Sequence, residues 1–281
     1  LFFAGCEGFL DSENLTKKDN SNFPKNSGDA ETALTGVYAL LREMTPGEDG
    51  QSFFLTAELL SDDRFGGGGP DDRRMHAVDR LKKVDENMFA DVWKQDYRAI
   101  YRSNMLLSSL DGISWESQEV RDKIEGQACF LRAYFYFDLC RLFGTVPLLI
   151  TSEPTNIPRA SAEELYAQIA SDLKTAIEKL PSVKYSPANS SELGRATKWA
   201  AEALLARVYL FYTGYYQKES IPLPDNGSLS KADVINYLDD CINNSGHDLI
   251  SDFRNLWPYS NVHTKKDYKY AQDNDLNWVG E

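Results

Sequence analysis

Four consecutive glycines, Gly66 to Gly69, are of the type that can hold a phosphate group with their backbone N–H groups. The nucleotide-binding form of such a loop continues with a glycine, a lysine and a hydroxyl residue. In this chain Pro70 and Asp71 follow instead. The glycines therefore favour a flexible loop over a phosphate site, and we predict that this loop extends from Gly66 to Asp85.

The residue types used in acid–base and nucleophilic catalysis do not fall into a catalytic pattern. The sequence contains no HExxH, no GxSxG and no GxGxxG that opens a helix after a strand. The three histidines, His76, His247 and His263, lie far apart in the sequence, and we expect them at the surface. The pairs Asp62-Asp63 and Asp71-Asp72 could serve acid–base chemistry, but adjacent carboxylates in loops are usually solvated. We predict that the chain is not an enzyme and uses no cofactor.

Metal ligation has little support in the spacing of the cysteines and carboxylates. Cys129 and Cys140 lie on one predicted helix about 16 Å apart, which is beyond disulfide reach, and with Cys241 they are expected to be buried free thiols. The stretch from Asp273 to Asn277 alternates oxygen ligands as a calcium loop does, yet Trp278 stands where an EF-hand requires glycine. We interpret it as a polar loop, with calcium binding as the alternative, and predict no metal site.

Composition excludes several classes of protein. The chain has 281 residues with 30 Lys+Arg against 43 Asp+Glu, a formal net charge of −13, so a nucleic-acid partner is not expected. Its 42% hydrophobic residues are enough for a large core, which excludes a disordered protein. No apolar run is long enough to span a bilayer.

The apolar run at the N-terminus ends in two small residues and a cysteine, Ala4-Gly5-Cys6. A polar stretch follows them. This order is typical of the end of a bacterial lipoprotein signal, in which the cysteine thiol receives a diacylglycerol. We predict lipidation at Cys6, a polar tether over residues 7–28 and a helical domain over residues 29–281. The alternative is a chain that begins with a buried apolar strand.

Apolar residues recur at three- and four-residue spacing over most of the chain, which predicts an all-α fold. Ser27 or Asp29 can cap the first predicted helix. Further along the chain, Ser161 to Glu164 resembles a capping box for the helix that begins at Glu164. Helices are predicted from Asp29 to Arg42, Phe53 to Leu60, Phe89 to Gly112, Glu119 to Phe143, Glu164 to Leu180, Thr197 to Tyr212 and Lys231 to Cys241. In the third of these helices Tyr97 and Tyr101 share the apolar face, with Tyr97 expected in the core, and in the fourth Leu131 and Phe135 are expected to face the core. The stretch from Ile221 to Gly227 is predicted to be a loop. Short connectors and alanine-rich faces favour stacked antiparallel helical hairpins, as in tetratricopeptide repeats.

Several separated elements of the sequence form one pattern, which depends on their order and spacing more than on any one element. These elements are Phe3-Ala4-Gly5-Cys6, Ala33-Leu34, Gly36-Val37-Tyr38, Trp93, Tyr97, Ile100, Asn104, Ala128, Phe130-Leu131-Arg132-Ala133, Tyr136-Phe137, Phe143-Gly144, Val146-Pro147-Leu148, Tyr166, Ile169, Asp172-Leu173, Ala176, Leu180-Pro181, Gly194-Arg195-Ala196-Thr197, Ala203-Leu204-Leu205-Ala206 and Val208-Tyr209-Leu210. Together they resemble the SusD/RagB family of glycan-binding outer-membrane lipoproteins from Bacteroidetes.

The resemblance implies a function and a partner. Proteins of this family sit as a lid over a TonB-dependent SusC-like transporter and bind an oligosaccharide or related nutrient at the cell surface. The family's proteins are about twice as long as this chain, so the resemblance covers their N-terminal half. It implies a lipid-anchored protein of the outer membrane that performs no covalent chemistry.

The segment before the helix of Trp93 and Tyr97 contributes to the ligand surface in the family that the chain resembles. Sugar binding uses flat aromatic rings and planar hydrogen-bonding side chains. The loop from Asp62 to Asp85 carries such side chains. We therefore predict ligand contacts from Phe65, Arg73, Arg74 and His76.

Other interpretations remain open. The four loop side chains could be exposed residues without a ligand. The stacked helices could be a scaffold that binds proteins and no sugar. A third possibility is a hydrolase whose site lies beyond residue 281.

Overall fold

The computed structural model describes residues 23–43, 53–61, 63–67, 69–83, 89–153, 156–185 and 191–249. Within these ranges the chain forms eight α-helices, one short 3₁₀ turn and a pair of two-residue strands. The helices are α1 (Ser27–Glu43), α2 (Phe53–Leu60), α3 (Arg73–Asp79), α4 (Ala90–Ser109), α5 (Gln118–Phe143), α6 (Ala162–Lys179), α7 (Lys198–Tyr215) and α8 (Lys231–Asn244). The all-α prediction is confirmed.

The larger helices stack in chain order. Helix α4 packs on α5, α5 on α6, α6 on α7 and α7 on α8, while α1 lies against both α4 and α5. Consecutive helices from α4 to α8 therefore form helical hairpins. The connectors are longer than predicted, with residues 144–161 between α5 and α6 and residues 180–197 between α6 and α7. None of the helices in the described ranges is long and apolar enough to cross a membrane.

Hydroxyl side chains cap the N-termini of α5, α6, α7 and α8. The Ser161 hydroxyl accepts a hydrogen bond from the Glu164 N–H, and the Glu164 carboxylate accepts one from the Ser161 N–H. This confirms the predicted capping box. A second capping box joins Ser230 and Asp233 at the start of α8.

Helix α5 lies at the centre of the core. Leu131 and Phe135 are both 0% exposed, which confirms the predicted core face. Cys129 and Cys140 on the same helix are buried free thiols, also as expected, and burial raises the pKa of each thiol. Cys241 is free and half-buried.

A buried ion pair ties three of the stacked helices together. Arg132 of α5 donates two hydrogen bonds to the Asp172 carboxylate of α6, at 2.8 Å and 2.6 Å, and a third to Asn104 Oδ1 of α4 at 2.9 Å. Asn104 Nδ2 in turn donates to the carbonyls of Leu149 at 2.8 Å and Thr151 at 3.1 Å. The network therefore fixes the segment after α5 against α4.

Two predicted loops contain regular structure. The stretch from Gly66 to Asp85 includes α3, so its assignment as loop throughout is wrong. The stretch from Ile221 to Gly227, also predicted as loop, begins with strand β1 (Ile221–Pro222), which pairs antiparallel with β2 (Ser228–Leu229). Both elements are too short to be recognised from a periodic pattern of apolar residues. The seven residues of α3 make about two helical turns, and the two residues of β1 make one strand repeat.

Two further details of the helices differ from prediction. Helix α1 begins two residues early, at Ser27, because Asn26 Oδ1 accepts a hydrogen bond from the Asp29 N–H at 3.0 Å and caps the helix in place of Ser27 or Asp29. In α4, Tyr101 was assigned to the buried face but is 45% exposed, whereas Asp96 is fully buried. The buried face of α4 includes polar residues, so apolar spacing alone gives the wrong helical phase.

Candidate functional site

Helices α2 and α3 pack on each other around a small core of their own. Leu59 of α2 and Val78 of α3 are buried together, and the half-buried Met75 and Phe89 pack against them. This cluster is separate from the main core of the stack. The loop side chains predicted to bind ligand are therefore carried by a small unit of two short helices.

Two glycines of the connector between these helices approach α3 closely. A Cβ atom at Gly66 would lie 2.6 Å from the Met75 carbonyl oxygen, and one at Gly67 would lie 2.5 Å from the Asp72 carboxylate. Gly67 also has φ of +103°, which L side chains rarely adopt. Glycine is thus required at both positions for close packing against α3. The run of glycines instead predicts a flexible loop.

Phe65 and His76 form an aromatic pair at the surface of this unit. Their ring centroids are 5.8 Å apart and the planes meet at 87°, an edge-to-face contact. Phe65 is 69% exposed, although His76 supports one edge of its ring. His76 Nε2 lies 3.2 Å from the Gly69 carbonyl oxygen, which orients the imidazole. His76 is half-buried, so the prediction that it is a plain surface residue is wrong. The predicted surface position is confirmed for His247, which is exposed.

Arg73 stands beside this pair on the exposed side of α3. It lines an open depression of about 470 Å³ together with His76. The structure thus brings together three of the four predicted residues, Phe65, Arg73 and His76. Arg74 lies on α3, but its side chain is outside the described part of the structure, as is Cys6.

Three basic residues that the sequence analysis did not identify line the same depression: Arg80, Lys82 and Lys83. Arg80 lies seven residues after Arg73, two helical turns further along the same face. A helix prediction for residues 73–79 would have revealed this spacing. The two lysines follow the helix and could not be placed from periodicity.

A tight turn at the end of α3 explains the position of these lysines. The Lys82 N–H donates to the Ala77 carbonyl at 2.7 Å and the Leu81 N–H to the Val78 carbonyl at 3.0 Å. Leu81 has φ of +52° and is 79% exposed. A left-handed leucine costs roughly 1–2 kcal/mol, so the two hydrogen bonds must hold the chain in this turn. The turn folds Lys82 and Lys83 back beside the last turn of α3.

A second depression, of about 490 Å³, lies between α4 and the segment that follows α5. Tyr97, the half-exposed Tyr101 and Asn104 are among the residues that line it. The Tyr97 hydroxyl donates to the Pro147 carbonyl at 2.7 Å, and burial raises the pKa of Tyr97, so this hydroxyl stays protonated. Tyr97, which the apolar spacing predicts in the core, does pack against the core while it also reaches this surface.

The described ranges contain no cluster of metal-ligating side chains. No group of three or more histidine, cysteine, aspartate or glutamate side chains there could hold a metal ion. Burial raises the pKa of Asp96 to about 9, with the Asp138 carboxylate as a second cause, but Asp96 is 0% exposed and lines neither depression. The residues Asp273 to Asn277, considered for calcium, lie outside the described ranges.

Comparison with known proteins identifies the family. Residues 9–210 match the model of a SusD-like family described as starch-binding and associating with the outer membrane. Two curated SusD-like proteins of Formosa agariphila, P2 and P25, are 32% and 27% identical over 224 and 223 residues. These alignments cover 78% and 73% of this chain, and 42% and 40% of the respective relatives.

Solved structures agree with the sequence comparisons. A laminarin-binding SusD-like protein superposes with a TM-score of 0.69 at 26% identity, over 85% of this chain and 49% of that protein. Surface glycan-binding protein A of Bacteroides uniformis gives the same TM-score, 0.69, at 23% identity over 83% of this chain and 49% of its own length, which supports the fold alone.

The chain spans about 40% of the length of the curated relatives that it matches. The family model nevertheless covers most of this chain, and the helical stack is the one that the solved relatives share. The chain therefore belongs to the SusD-like family.

Proposed function

We propose that this protein captures an oligosaccharide at the cell surface and that the sugar binds at the α3 surface, defined as Phe65, Arg73 and His76. The observation that carries the proposal is the exposed Phe65 ring, held edge-on by His76 beside an open depression. Support also comes from the family description as starch-binding and from the laminarin-binding relative. Carbohydrate sites use this combination of a flat ring and planar hydrogen-bonding groups.

Each of the three side chains has a distinct part in binding. The Phe65 face is open to solvent and offers a platform for the apolar face of a sugar ring. The Arg73 guanidinium presents several N–H donors in a plane, which suits neighbouring hydroxyls. The His76 ring, oriented by the Gly69 carbonyl, supports Phe65 in the position that the sugar meets. Binding needs no covalent chemistry, and we propose that the protein is not an enzyme.

The proposal extends to residues that the structure does not describe. Arg74 is assigned to the same surface, and Cys6 is proposed as the lipidated residue that anchors the protein to the outer membrane. Residues 1–6 then form the end of the signal and the following polar residues a tether that leads to α1. The partner is a TonB-dependent SusC-like transporter, over which the protein would sit as a lid and to which it would pass the sugar.

Calorimetric titration of the full-length protein with laminarin and malto-oligosaccharides tests the proposed site. Phe65→Ala should weaken binding by about 1–3 kcal/mol, the loss expected for a ring contact in a binding site. Tyr215→Ala is the matched control, because Tyr215 is also an exposed aromatic, 71% exposed, that packs against another ring, Phe211, but lies on α7. Thermal melting of both variants should stay close to the wild type, since neither ring is buried.

Three results distinguish the alternatives. Equal loss of affinity in both variants, or none in either, removes Phe65 from the site. Binding to no glycan in a broad array, together with specific binding of a protein partner, favours the scaffold interpretation. Hydrolysis of a bound oligosaccharide by the full-length protein would favour the enzyme interpretation.

A further inference from the structure

The depression beside α3 is lined by four cationic side chains. Arg73, Arg80, Lys82 and Lys83 surround it together with His76, and no carboxylate is among the residues that line it. All four cations are exposed. We refer to these four residues as the basic cluster.

Helical geometry separates the charges of this region by sign. Arg73 is the first residue of α3, and Arg80, seven residues later, follows the last turn of the helix on the same face. Asp72 and Asp79, also seven apart, lie on the adjoining face, where they meet the glycine connector: the Asp72 carboxylate accepts a hydrogen bond from the Gly69 N–H at 3.1 Å, and the Asp79 Cβ is close to Gly66. The carboxylates therefore lie toward the connector and leave the cations to face the depression.

The basic cluster has no ion pair with any residue of the described ranges. Several basic side chains elsewhere in the described ranges do form ion pairs, as Lys179 does with Asp122 at 2.5 Å and Lys198 with Asp240 at 2.5 Å. Four unpaired cations around one depression stand out in a protein with a formal net charge of −13. Like charges so close repel each other, and an anion bound among them would relieve that repulsion.

We propose that the ligand of this protein is an anionic oligosaccharide, whose sulfate ester or uronate carboxylate binds at the basic cluster while a neighbouring sugar ring packs on Phe65. This inference rests on the proposed function and narrows it to a substrate class. A guanidinium matches the two oxygens of a sulfate or carboxylate with two parallel N–H donors, and lysines add positive charge at longer reach. Phe65 is linked to the cluster through His76, which contacts the Phe65 ring and lines the depression.

Titration with chemically matched sugars tests the class of ligand. The probes are oligosaccharides of carrageenan, which carry sulfate, of polygalacturonate, which carry carboxylate, and of agarose and laminarin, which are neutral. The full-length protein should bind at least one anionic probe more tightly than both neutral probes. That affinity should fall as the sodium chloride concentration rises, because salt screens the attraction. The sulfate and carboxylate probes then show which anion the site takes.

A charge-matched pair of variants separates the site from the general electrostatics of the protein. Lys82→Ala/Lys83→Ala should weaken binding of the anionic probe by about tenfold or more, as expected for the loss of charge-assisted contacts. Lys94→Ala/Lys231→Ala removes the same net charge from exposed lysines of α4 and α8 and should leave the affinity unchanged. Circular dichroism of both variants confirms that each is folded.

The outcomes keep this inference apart from the proposed function. Neutral probes bound as tightly as anionic ones, or equal losses in the two double variants, would overturn the anionic class and leave sugar binding in place. Failure to bind any probe or any member of a broad glycan array would contradict the proposed function itself, and the anionic class with it.

Discussion

Replacing Arg132 by methionine should show how much of the fold depends on the buried network of α4, α5 and α6. The guanidinium makes three hydrogen bonds, two of them to Asp172, and both side chains are at least 90% buried. Without Arg132, the Asp172 carboxylate keeps only the Gln168 amide at 2.9 Å among the side chains described here. A buried charge that has lost its partner costs about 3–5 kcal/mol, and Arg132→Met should lower the free energy of unfolding by that amount.

A double variant and a surface control separate the charge effect from simple loss of packing. Arg132→Met/Asp172→Leu removes both charges and should recover most of the loss, leaving about 1–3 kcal/mol because Asn104 Oδ1 still lacks its donor. Arg121, on the same helix, pairs with Asp111 at the same distance, 2.6 Å, but Asp111 is 93% exposed. Arg121→Met should therefore cost less than about 1 kcal/mol.

Urea unfolding followed by far-UV circular dichroism measures these differences. The expected order of stability is wild type, Arg121→Met, the double variant and then Arg132→Met. If Arg132→Met falls within 1 kcal/mol of the Arg121 control, or if the double variant is no more stable than Arg132→Met, the buried charge does not have the cost derived from the structure.

Three further predictions concern the core, a buried acid and the anchor. Leu131→Ala and Phe135→Ala should each cost about 2–5 kcal/mol in urea unfolding through lost burial and a cavity, and a melt within a degree of wild type would contradict the packing of α5. Burial raises the pKa of Asp96 to about 9. Above about pH 4 the unfolded chain releases the Asp96 proton while the folded protein keeps it, so the free energy of unfolding falls as the pH rises toward 9. Asp96→Asn should therefore gain stability over wild type between about pH 5 and about pH 8, whereas a pH-independent difference would refute the shift. Cys6→Ser should move the protein out of the membrane fraction and abolish labelling by palmitate, and a variant that stays membrane-bound and labelled would exclude Cys6 as the anchor.

Local signals were enough to predict most of the helices. Helix α2 has the predicted bounds, Phe53–Leu60, because the apolar run ends in a polar turn that stops it. The capping box at Ser161 fixed the start of α6 to within two residues, since it depends on two side chains three positions apart. These features involve neighbours in sequence, so one chain is sufficient to recognise them.

Features that depend on distant contacts could not be predicted. Arg132 and Asp172 are 40 positions apart, and nothing in either segment indicates that the two side chains meet. Asp96 is polar yet fully buried, whereas the apolar Tyr101 is 45% exposed. Apolar spacing therefore predicts the wrong buried face for α4. The sequence of α3 is dominated by charges, and its helical state depends on packing against α2 through Val78.

The candidate site was predicted in part for the same reason. Phe65, Arg73 and His76 were identified from residue type and from the family resemblance, and the structure places them together. The contribution of Lys82 and Lys83 follows from a turn after α3, which is set by backbone hydrogen bonds and has no signature glycine. Residue type suggests that Phe65 offers a platform for a sugar ring. The positive charge beside it becomes apparent only from the geometry that brings Arg80, Lys82 and Lys83 to the same depression.

A crystal structure of the full-length protein with a bound oligosaccharide tests the central claim most directly. Our account predicts a sugar ring against the exposed face of Phe65, with Arg73 within hydrogen-bonding distance of the ligand and His76 in contact with the Phe65 edge. A ligand bound in the depression of Tyr97 and Tyr101, or anywhere that leaves Phe65 free, would contradict it.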